Sequence, residues 1–293
     1  MPTLQNIDLA ALRTKHLGPR QRDAHKGHFG HVLVIGGDAG MSGAVRLAGE
    51  AAARVGAGLV SIATQPAHAA LISTTRPELM CHGVTHAADL TPLLTRATVV
   101  IIGPGLGQTT WAQALLTTVL EYSPSIPLVV DADALNLLAQ YNQSKPGGRS
   151  YERFNWILTP HPGEAARLLG CDTSAVQKDR YAAVQQLRRQ WGGVIVLKGA
   201  GTLVLGNDPS AVPQICIEGN PGMATGGMGD VLSGVIGSLV AQHLDLTTAA
   251  CLGVALHARA GDLAAQDGER GLLASDLFPY LRELVNSSGK YVT

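Results

Sequence analysis

Along this chain, apolar runs of strand length alternate with stretches in which apolar residues recur at helical spacing. His31 to Ile35 leads into a helical pattern over Ala44 to Val55, and Leu59 to Ala63 follows. Val99 to Ile102 precedes a helix over Trp111 to Leu120, and Leu128 to Val130 precedes one over Ala134 to Tyr141. The alternation continues with Trp156 to Leu158, a helix near Glu164 to Leu169, a polar helix over Ala175 to Gln190, and Val194 to Leu197. Strands that are nearly continuous Val, Ile and Leu, joined by helices, predict an α/β fold with a mainly parallel sheet covered on both faces. After Lys198 the pattern changes. Thr202 to Leu205 and Gln214 to Ile217 flank Gly206, Asn207, Asp208 and Pro209, which predicts a hairpin, and the chain then ends in helices. There is no repeat. Asn142 to Ser150, with Lys145, Pro146, Gly147 and Gly148, reads as a surface loop. A single domain over residues 1–293 is the economical reading.

Composition narrows the function classes. The chain is 46% hydrophobic with 35 glycines, which fits a well-buried core with many tight turns. Lys plus Arg and Asp plus Glu both number 22, so no net field favours nucleic acid or an anionic membrane, and any phosphate recognition must be local. No apolar run reaches the roughly 18 residues of a membrane span. Asp8, Arg13 and Lys15 surround a short apolar stretch at the N-terminus where a signal peptide would need an uninterrupted apolar core, so a cytoplasmic protein is expected. The four cysteines, Cys81, Cys171, Cys216 and Cys251, form no C-x-x-C pair and read as buried small hydrophobes.

Ligands of open α/β sheets bind outside the carboxyl ends of the strands, which makes the residues just after each strand the candidates. The most informative segment is Asn220 to Asp230, sequence NPGMATGGMGD. Val231, Leu232, Val235, Ile236, Leu239 and Val240 follow it as the buried stripe of a helix. The backbone amides of Gly226, Gly227, Met228 and Gly229 therefore form an anion cradle at a helix N-terminus. Asp230 is the odd residue there. A carboxylate beside a phosphate site repels it unless it holds magnesium or takes a proton from an attacking hydroxyl. The plainer alternative is a glycine-rich turn whose Asp stabilises the helix dipole.

The other candidates carry weaker signals. Gly36 to Ala44 and Gly103 to Gly107 follow strands, but their glycines lack dinucleotide-fingerprint spacing and suit tight turns equally well. No P-loop occurs. Asp131, Asp133 and Asn136 gather oxygen ligands that suit magnesium or a substrate hydroxyl, with helix capping by Asp133 as the alternative. Thr159 to Glu164 sets His161 between two prolines, with Glu164 as a magnesium–water ligand or a capping-box partner. Lys198-Gly199-Ala200-Gly201-Thr202 at a strand end suits nucleotide phosphates, or is an exposed turn. His28 with His31, and His82 with His86, lack a third ligand and read as structural or surface histidines.

Taken in order, His25 to Gly30, Gly36 to Ala44, Arg76 to Met80, Gly103 to Gly107, Asp131 to Asn136, Thr159 to Glu164, Lys198 to Thr202 and Asn220 to Asp230 resemble the ADP- or ATP-dependent NAD(P)H-hydrate dehydratase family, over roughly residues 20 to 285. The resemblance implies a three-layer α/β/α ribokinase-like fold. It implies repair of hydrated NADH and NADPH by phosphoryl transfer to the added ring hydroxyl, followed by loss of phosphate. On that resemblance Asp230 is the catalytic base. Ala44, Gly105, His161 and Asp230 match positions that contact the hydrated dinucleotide, with Asp133 and Asn136 beside them. Lys198, Gly199, Ala200, Gly201, Thr202 and Gly229 match positions that hold the adenine nucleotide. Mg2+ would bridge the nucleotide phosphates with Glu164 as a water-mediated ligand, although His161 stands where related kinases carry an Asn. Family habit further implies a homotetramer. Bacterial members favour ADP and eukaryotic ones ATP, and with no targeting segment ADP is expected here. Many relatives also carry an N-terminal epimerase domain, and with about 25 residues before the matching region this chain is expected to act on the S epimer and to need a separate epimerase for the other.

Two alternatives stay open. A small-molecule kinase of the same superfamily, acting on a thiazole or pyrimidine alcohol, would share the cradle and Asp230 but release a stable phosphorylated product. A non-catalytic dinucleotide-binding module would not depend on Asp230 at all.

Overall fold

The computed structural model describes residues 4–122, 125–143 and 153–286. In chain order its first half runs β1 (Gln5–Asn6), α1 (Leu9–His16), β2 (His31–Ile35), α2 (Ser42–Val55), β3 (Leu59–Thr64), α3 (Pro66–Thr75), β4 (Met80–Gly83), α4 (Thr91–Leu94), β5 (Val99–Ile102), α5 (Thr110–Tyr122), β6 (Leu128–Val130) and α6 (Ala132–Gln143). The second half runs β7 (Trp156–Leu158), α7 (Pro162–Leu169), α8 (Thr173–Lys178), α9 (Arg180–Trp191), β8 (Val194–Leu197), β9 (Thr202–Leu205), β10 (Gln214–Cys216), α10 (Met228–Ala241), α11 (Leu246–Ala264) and α12 (Leu277–Leu284).

All ten strands form one sheet in the order β1-β10-β9-β8-β7-β6-β5-β2-β3-β4. Only β9 runs against its neighbours, β8 and β10; every other pairing is parallel. Strand alternation divides the core into two layers. Val32, Val34, Val99, Ile101, Val129, Ile157, Val194 and Val196 pack on the face covered by α2, α10, α11 and α12. Leu33, Ile35, Val100, Ile102, Val130, Trp156, Leu158 and Leu197 face α5, α6, α7 and α9. Because both faces are buried, period-2 polarity is absent and the strands read as apolar runs. The three-layer α/β/α architecture and the 202–216 hairpin agree with expectation.

Backbone proximity sets the spacing of the first helical layer. A β-carbon on Gly234 of α10 would stand 2.1 Å from the carbonyl oxygen of Ala48 on α2, so glycine is what lets these two helices touch. On the same helix α2, Glu50 is only 3% exposed and meets Arg76 at 2.5 Å and both Arg46 and Arg54 at 3.5 Å. These residues line a cavity of about 780 Å3 between α2 and α12 that contains none of the candidate site residues.

Several expectations need correction. The predicted helix over Ala175 to Gln190 is two helices, because Asp179 leaves helical geometry (φ −144°, ψ 80°) and accepts a hydrogen bond from the Ala182 amide, starting a new helix. Of the four cysteines only Cys216 and Cys251 are buried; Cys81 is half-buried and Cys171 exposed. The second hairpin strand ends at Cys216, and Ile217 is 67% exposed. Of the predicted loop over Asn142 to Ser150, Asn142 and Gln143 close α6 and the rest lies outside the described residues. Among the described residues no helix is long and apolar enough to cross a membrane.

Candidate active site

The strands β2, β5, β6, β7 and β8 end side by side, and their carboxyl ends carry Gly36, Gly103, Asp131, Thr159 and Lys198. Opposite them stands the N-terminus of α10. Its N-cap is Gly227, at φ 90°, with no side chain to cap the helix. The first amides of any α-helix lack an intrahelical acceptor, so those of Met228, Gly229 and Asp230 are available to an anion. Left-handed backbone at Gly227 favours glycine, and crowding reinforces the choice: a β-carbon there would lie 2.5 Å from Leu47 Cδ1.

Three of the four residues expected to form the anion cradle, Gly227, Met228 and Gly229, lie at the start of α10. The wall of the adjoining cavity includes Gly227, Met228, Gly229 and Asp230, while Gly226 is exposed outside it. The helix begins only after the Gly227 turn, and its free amides belong to the residues that follow. This cavity, of about 780 Å3, also takes in Asp131, His161, Glu164 and the whole segment Lys198 to Thr202.

Lys198 is the electrostatic centre of the cavity floor. Its Nζ lies 2.7 Å from Asp131 Oδ1 and 3.8 Å from Glu164 Oε2. The other Asp131 oxygen accepts a 2.7 Å hydrogen bond from Ser233 Oγ on α10. A β-carbon on Gly229 would stand 3.3 Å from Lys198 Nζ, which puts the ammonium directly beneath the helix terminus. Lys198 is therefore a half-buried, paired ammonium and not an exposed turn lysine. Burial works against its charge, but Asp131, Glu164 and Asp230 outweigh burial and raise its pKa.

Asp230 and Glu164 are pushed the other way. Burial, reinforced by Asp131 and opposed by Lys198, lifts the Asp230 carboxyl to about 7. Burial likewise lifts Glu164 to about 7 against the pull of Lys198. Carboxyls poised near neutrality suit proton transfer at physiological pH. Glu164 is also a capping partner, accepting the His161 amide at 2.8 Å. His161 Nδ1 in turn accepts from Gly163 at 3.0 Å and from Glu164 at 3.3 Å. Burial and the nearby Lys198 and Arg167 cations lower the His161 pKa, so the ring is neutral and can act as the acceptor those amides require.

The remaining predicted residues sit around a neighbouring patch. Asp131, Asp133 and Asn136 each bond a different partner. Asp133 Oδ2 accepts the Gly107 amide at 2.8 Å, and Asn136 Oδ1 accepts from Arg167 Nη1 at 2.9 Å. Asp133 thus ties down a neighbouring loop and does not cap its own helix. Asp38 N donates to Gly105 O at 2.7 Å and Gly37 N to Pro104 O at 3.0 Å, lacing together the loops after β2 and β5. Ala44 and Gly105 meet there, since a β-carbon on Gly105 would come within 3.0 Å of Ala44 Cβ. Neither lines the main cavity.

Three residues in or behind the cavity carry no motif. Ser233 is a fully buried hydroxyl inside an apolar helical stripe, and that mismatch is its sequence signal. His257 on α11 lines the cavity, its pKa lowered to about 4 by burial. Its Nε2 has no hydrogen-bond partner among the described residues. Arg180 stands behind the Lys198 to Thr202 segment, where nothing in its local sequence marks it.

Comparison with known proteins bears on the chemistry. Residues 32–283 match the family model described as NAD(P)H-hydrate dehydratase. The bifunctional NAD(P)H-hydrate repair enzyme Nnr of Coxiella burnetii is 60% identical over 271 residues, covering 92% of this chain and 53% of that protein. The chain thus spans about half the length of the bifunctional relatives it matches. The ADP-dependent (S)-NAD(P)H-hydrate dehydratase of Neisseria meningitidis is 40% identical over 280 residues, covering 94% of this chain and 92% of that one. Among solved structures, the ADP/ATP-dependent NAD(P)H-hydrate dehydratase of Bacillus subtilis, co-crystallised with ATP/Mg2+, superposes with a TM-score of 0.83 at 32% identity, covering 97% of this chain and 98% of that one. Arabidopsis thaliana ribokinase shares the fold alone, at a TM-score of 0.54 and 13% identity over 86% of this chain and 98% of its own.

Proposed function

The chain belongs to the NAD(P)H-hydrate dehydratase family, and we propose that it uses an adenine nucleotide to dehydrate the S epimer of hydrated NADH or NADPH. One observation carries the proposal: a carboxyl lifted to about 7, Asp230, stands at an open helix N-terminus above a half-buried, carboxylate-paired ammonium, Lys198. The ring hydroxyl added by hydration gives its proton to Asp230 as its oxygen attacks the terminal phosphoryl group. The P–O bond to the nucleotide breaks, leaving a nucleotide one phosphate shorter. The amides of Met228 and Gly229 and the Lys198 ammonium face the charge that develops on the transferred group. Phosphate then leaves with the electron pair of the ring C–O bond. Loss of a proton from the adjacent ring carbon restores the double bond.

On this reading Lys198, Gly199, Ala200, Gly201, Thr202 and Gly229 bind the nucleotide, and ADP serves as donor. Ala44, Gly105, His161, Asp133 and Asn136 line the path of the dinucleotide. Among the described residues no three His, Cys, Asp or Glu side chains cluster, and Glu164, whose Oε2 accepts the His161 amide, keeps its other oxygen available to reach a hydrated Mg2+. Mg2+ would enter with the nucleotide phosphates and neutralise part of their charge, with Glu164 holding it through water. We further propose a single domain, a homotetrameric assembly, and a cytoplasmic location where reduced cofactors and nucleotides meet. An epimerase would supply the S form.

Purified protein incubated with hydrated NADH, magnesium and either ADP or ATP tests the proposal by the return of near-ultraviolet absorbance. Nucleotide-dependent recovery is expected, and the more effective nucleotide names the donor. Accumulation of a stable phosphorylated alcohol instead would favour a small-molecule kinase.

A further inference from the structure

We propose that Arg180 is a positioning residue that turns the carbonyls of the Lys198 to Gly201 segment outward, so that the amides of Gly199, Ala200 and Gly201 face the bound polyphosphate. The inference rests on the assignment of that segment to the nucleotide.

The break between α8 and α9 makes the placement possible. Asp179 caps α9 by accepting the Ala182 amide at 2.9 Å, which makes Arg180 the first helical residue and aims it at the end of β8. Its Nη1 donates to the carbonyl of Ala200. Its Nη2 donates to Leu197 O at 2.9 Å and to Lys198 O at 3.2 Å. The one intervening carbonyl, Gly199 O, accepts from Thr202 Oγ1 at 3.0 Å. Four consecutive carbonyls are thus held by side-chain donors.

In a trans peptide the C=O of one residue and the N–H of the next point in opposite directions. Fixing the carbonyls of Lys198 and Ala200 on the Arg180 side therefore sends the amides of Gly199 and Gly201 to the other, and the Gly199 carbonyl, tied to Thr202 Oγ1, fixes the peptide plane that carries the Ala200 amide. Among the described residues those three amides make no hydrogen bond, and all three residues line the cavity while Arg180 does not. A guanidinium behind the loop also keeps carbonyl lone pairs, which would repel phosphate, away from the ligand. Successive amides aimed into a concavity are a recurrent way to hold an anion. Glycine at 199 belongs to the same device: at φ +136°, a β-carbon there would meet Arg180 Nη2 at 3.2 Å.

A lysine could supply the charge but not one planar fork reaching three acceptors. Loss of amide orientation equivalent to one hydrogen bond from a charged donor corresponds to about 10- to 100-fold in nucleotide affinity.

The test measures ADP and ATP dissociation constants by calorimetry without hydrated cofactor, together with steady-state kinetics, for wild type, Arg180→Lys, Arg180→Met and Arg180→Ala. We expect nucleotide Kd and KM to rise about 10- to 100-fold in all three variants, with KM for the hydrated cofactor and kcat changed by less than about threefold. Free guanidinium should restore part of the affinity in Arg180→Ala. Wild-type affinity in Arg180→Lys would overturn the proposal, because charge alone would then suffice. So would equal losses for both substrates accompanied by a fall in thermal midpoint, the mark of general structural damage. A wild-type protein that binds neither nucleotide would overturn the functional reading itself.

Discussion

Replacing Asp230 with Asn should abolish turnover and at the same time stabilise the protein, by an amount that depends on pH. The Asp230 carboxyl is lifted from its ordinary 3.8 to about 7, chiefly by burial. Between those two values the unfolded chain releases the proton while the folded protein keeps it, so stability falls as pH rises. A gap of about three pH units at about 1.4 kcal/mol each sets an upper bound of roughly 4 kcal/mol above pH 7. Water penetration and relaxation bring the expected cost to about 2–4 kcal/mol at pH 8. At pH 5 only about one unit of the gap has been crossed, and the cost is about 1–2 kcal/mol. Asn carries no titration and retains the shape. Urea titrations of wild type and Asp230→Asn at both pH values should therefore show the variant more stable, with the larger gain at pH 8. The same variant should lose at least about 100-fold in kcat while still binding nucleotide. Equal stability at pH 8, or a gain independent of pH, would refute the claim that this carboxyl is held near neutrality by its site.

Other consequences are independent of that one. For a base lifted to about 7, kcat/KM should climb with pH and level off above about 7; a profile flat from pH 5 to 8 would exclude Asp230 as the proton acceptor. Glu50→Ala removes the carboxylate shared by Arg46, Arg54 and Arg76, which are 28–39% exposed and stay hydrated, and should cost about 1–3 kcal/mol of stability, read from the denaturant midpoint. Gly234→Ala forces a methyl to within 2.1 Å of the Ala48 carbonyl oxygen unless α2 and α10 separate, and should cost about 1–3 kcal/mol. An unchanged melting midpoint there would show that the two helices are less tightly apposed.

Much of this architecture was legible because the strands are buried on both faces. Val99–Ile102, Leu128–Val130, Trp156–Leu158 and Val194–Leu197 coincide with uninterrupted apolar runs, since neither face needs polar residues. Elements at the margins left no such trace. Strand β1 is two exposed residues, Gln5 and Asn6, that become a strand only by pairing with β10. Strand β4 sits at the opposite edge with partly exposed residues, and α3 lacks an apolar stripe. In the site, the glycine-rich approach to α10 and the segment after β8 could be read because their residue types are unusual in sequence. The Asp131–Lys198–Ser233 connection could not, because it joins residues 67 and 102 positions apart. Arg180 was hidden for the same reason, inside what reads as one polar helix until Asp179 is seen to interrupt it.

The central claim is that the ring hydroxyl of the hydrated cofactor, and not water, attacks the nucleotide. Hydrated NADH carrying oxygen-18 in that hydroxyl should be incubated with the protein, magnesium and nucleotide, and the released phosphate analysed by mass spectrometry. Transfer to the hydroxyl followed by C–O cleavage predicts that the label ends in inorganic phosphate, one atom per cofactor repaired. Unlabelled phosphate, with the oxygen-18 recovered in water, would contradict it.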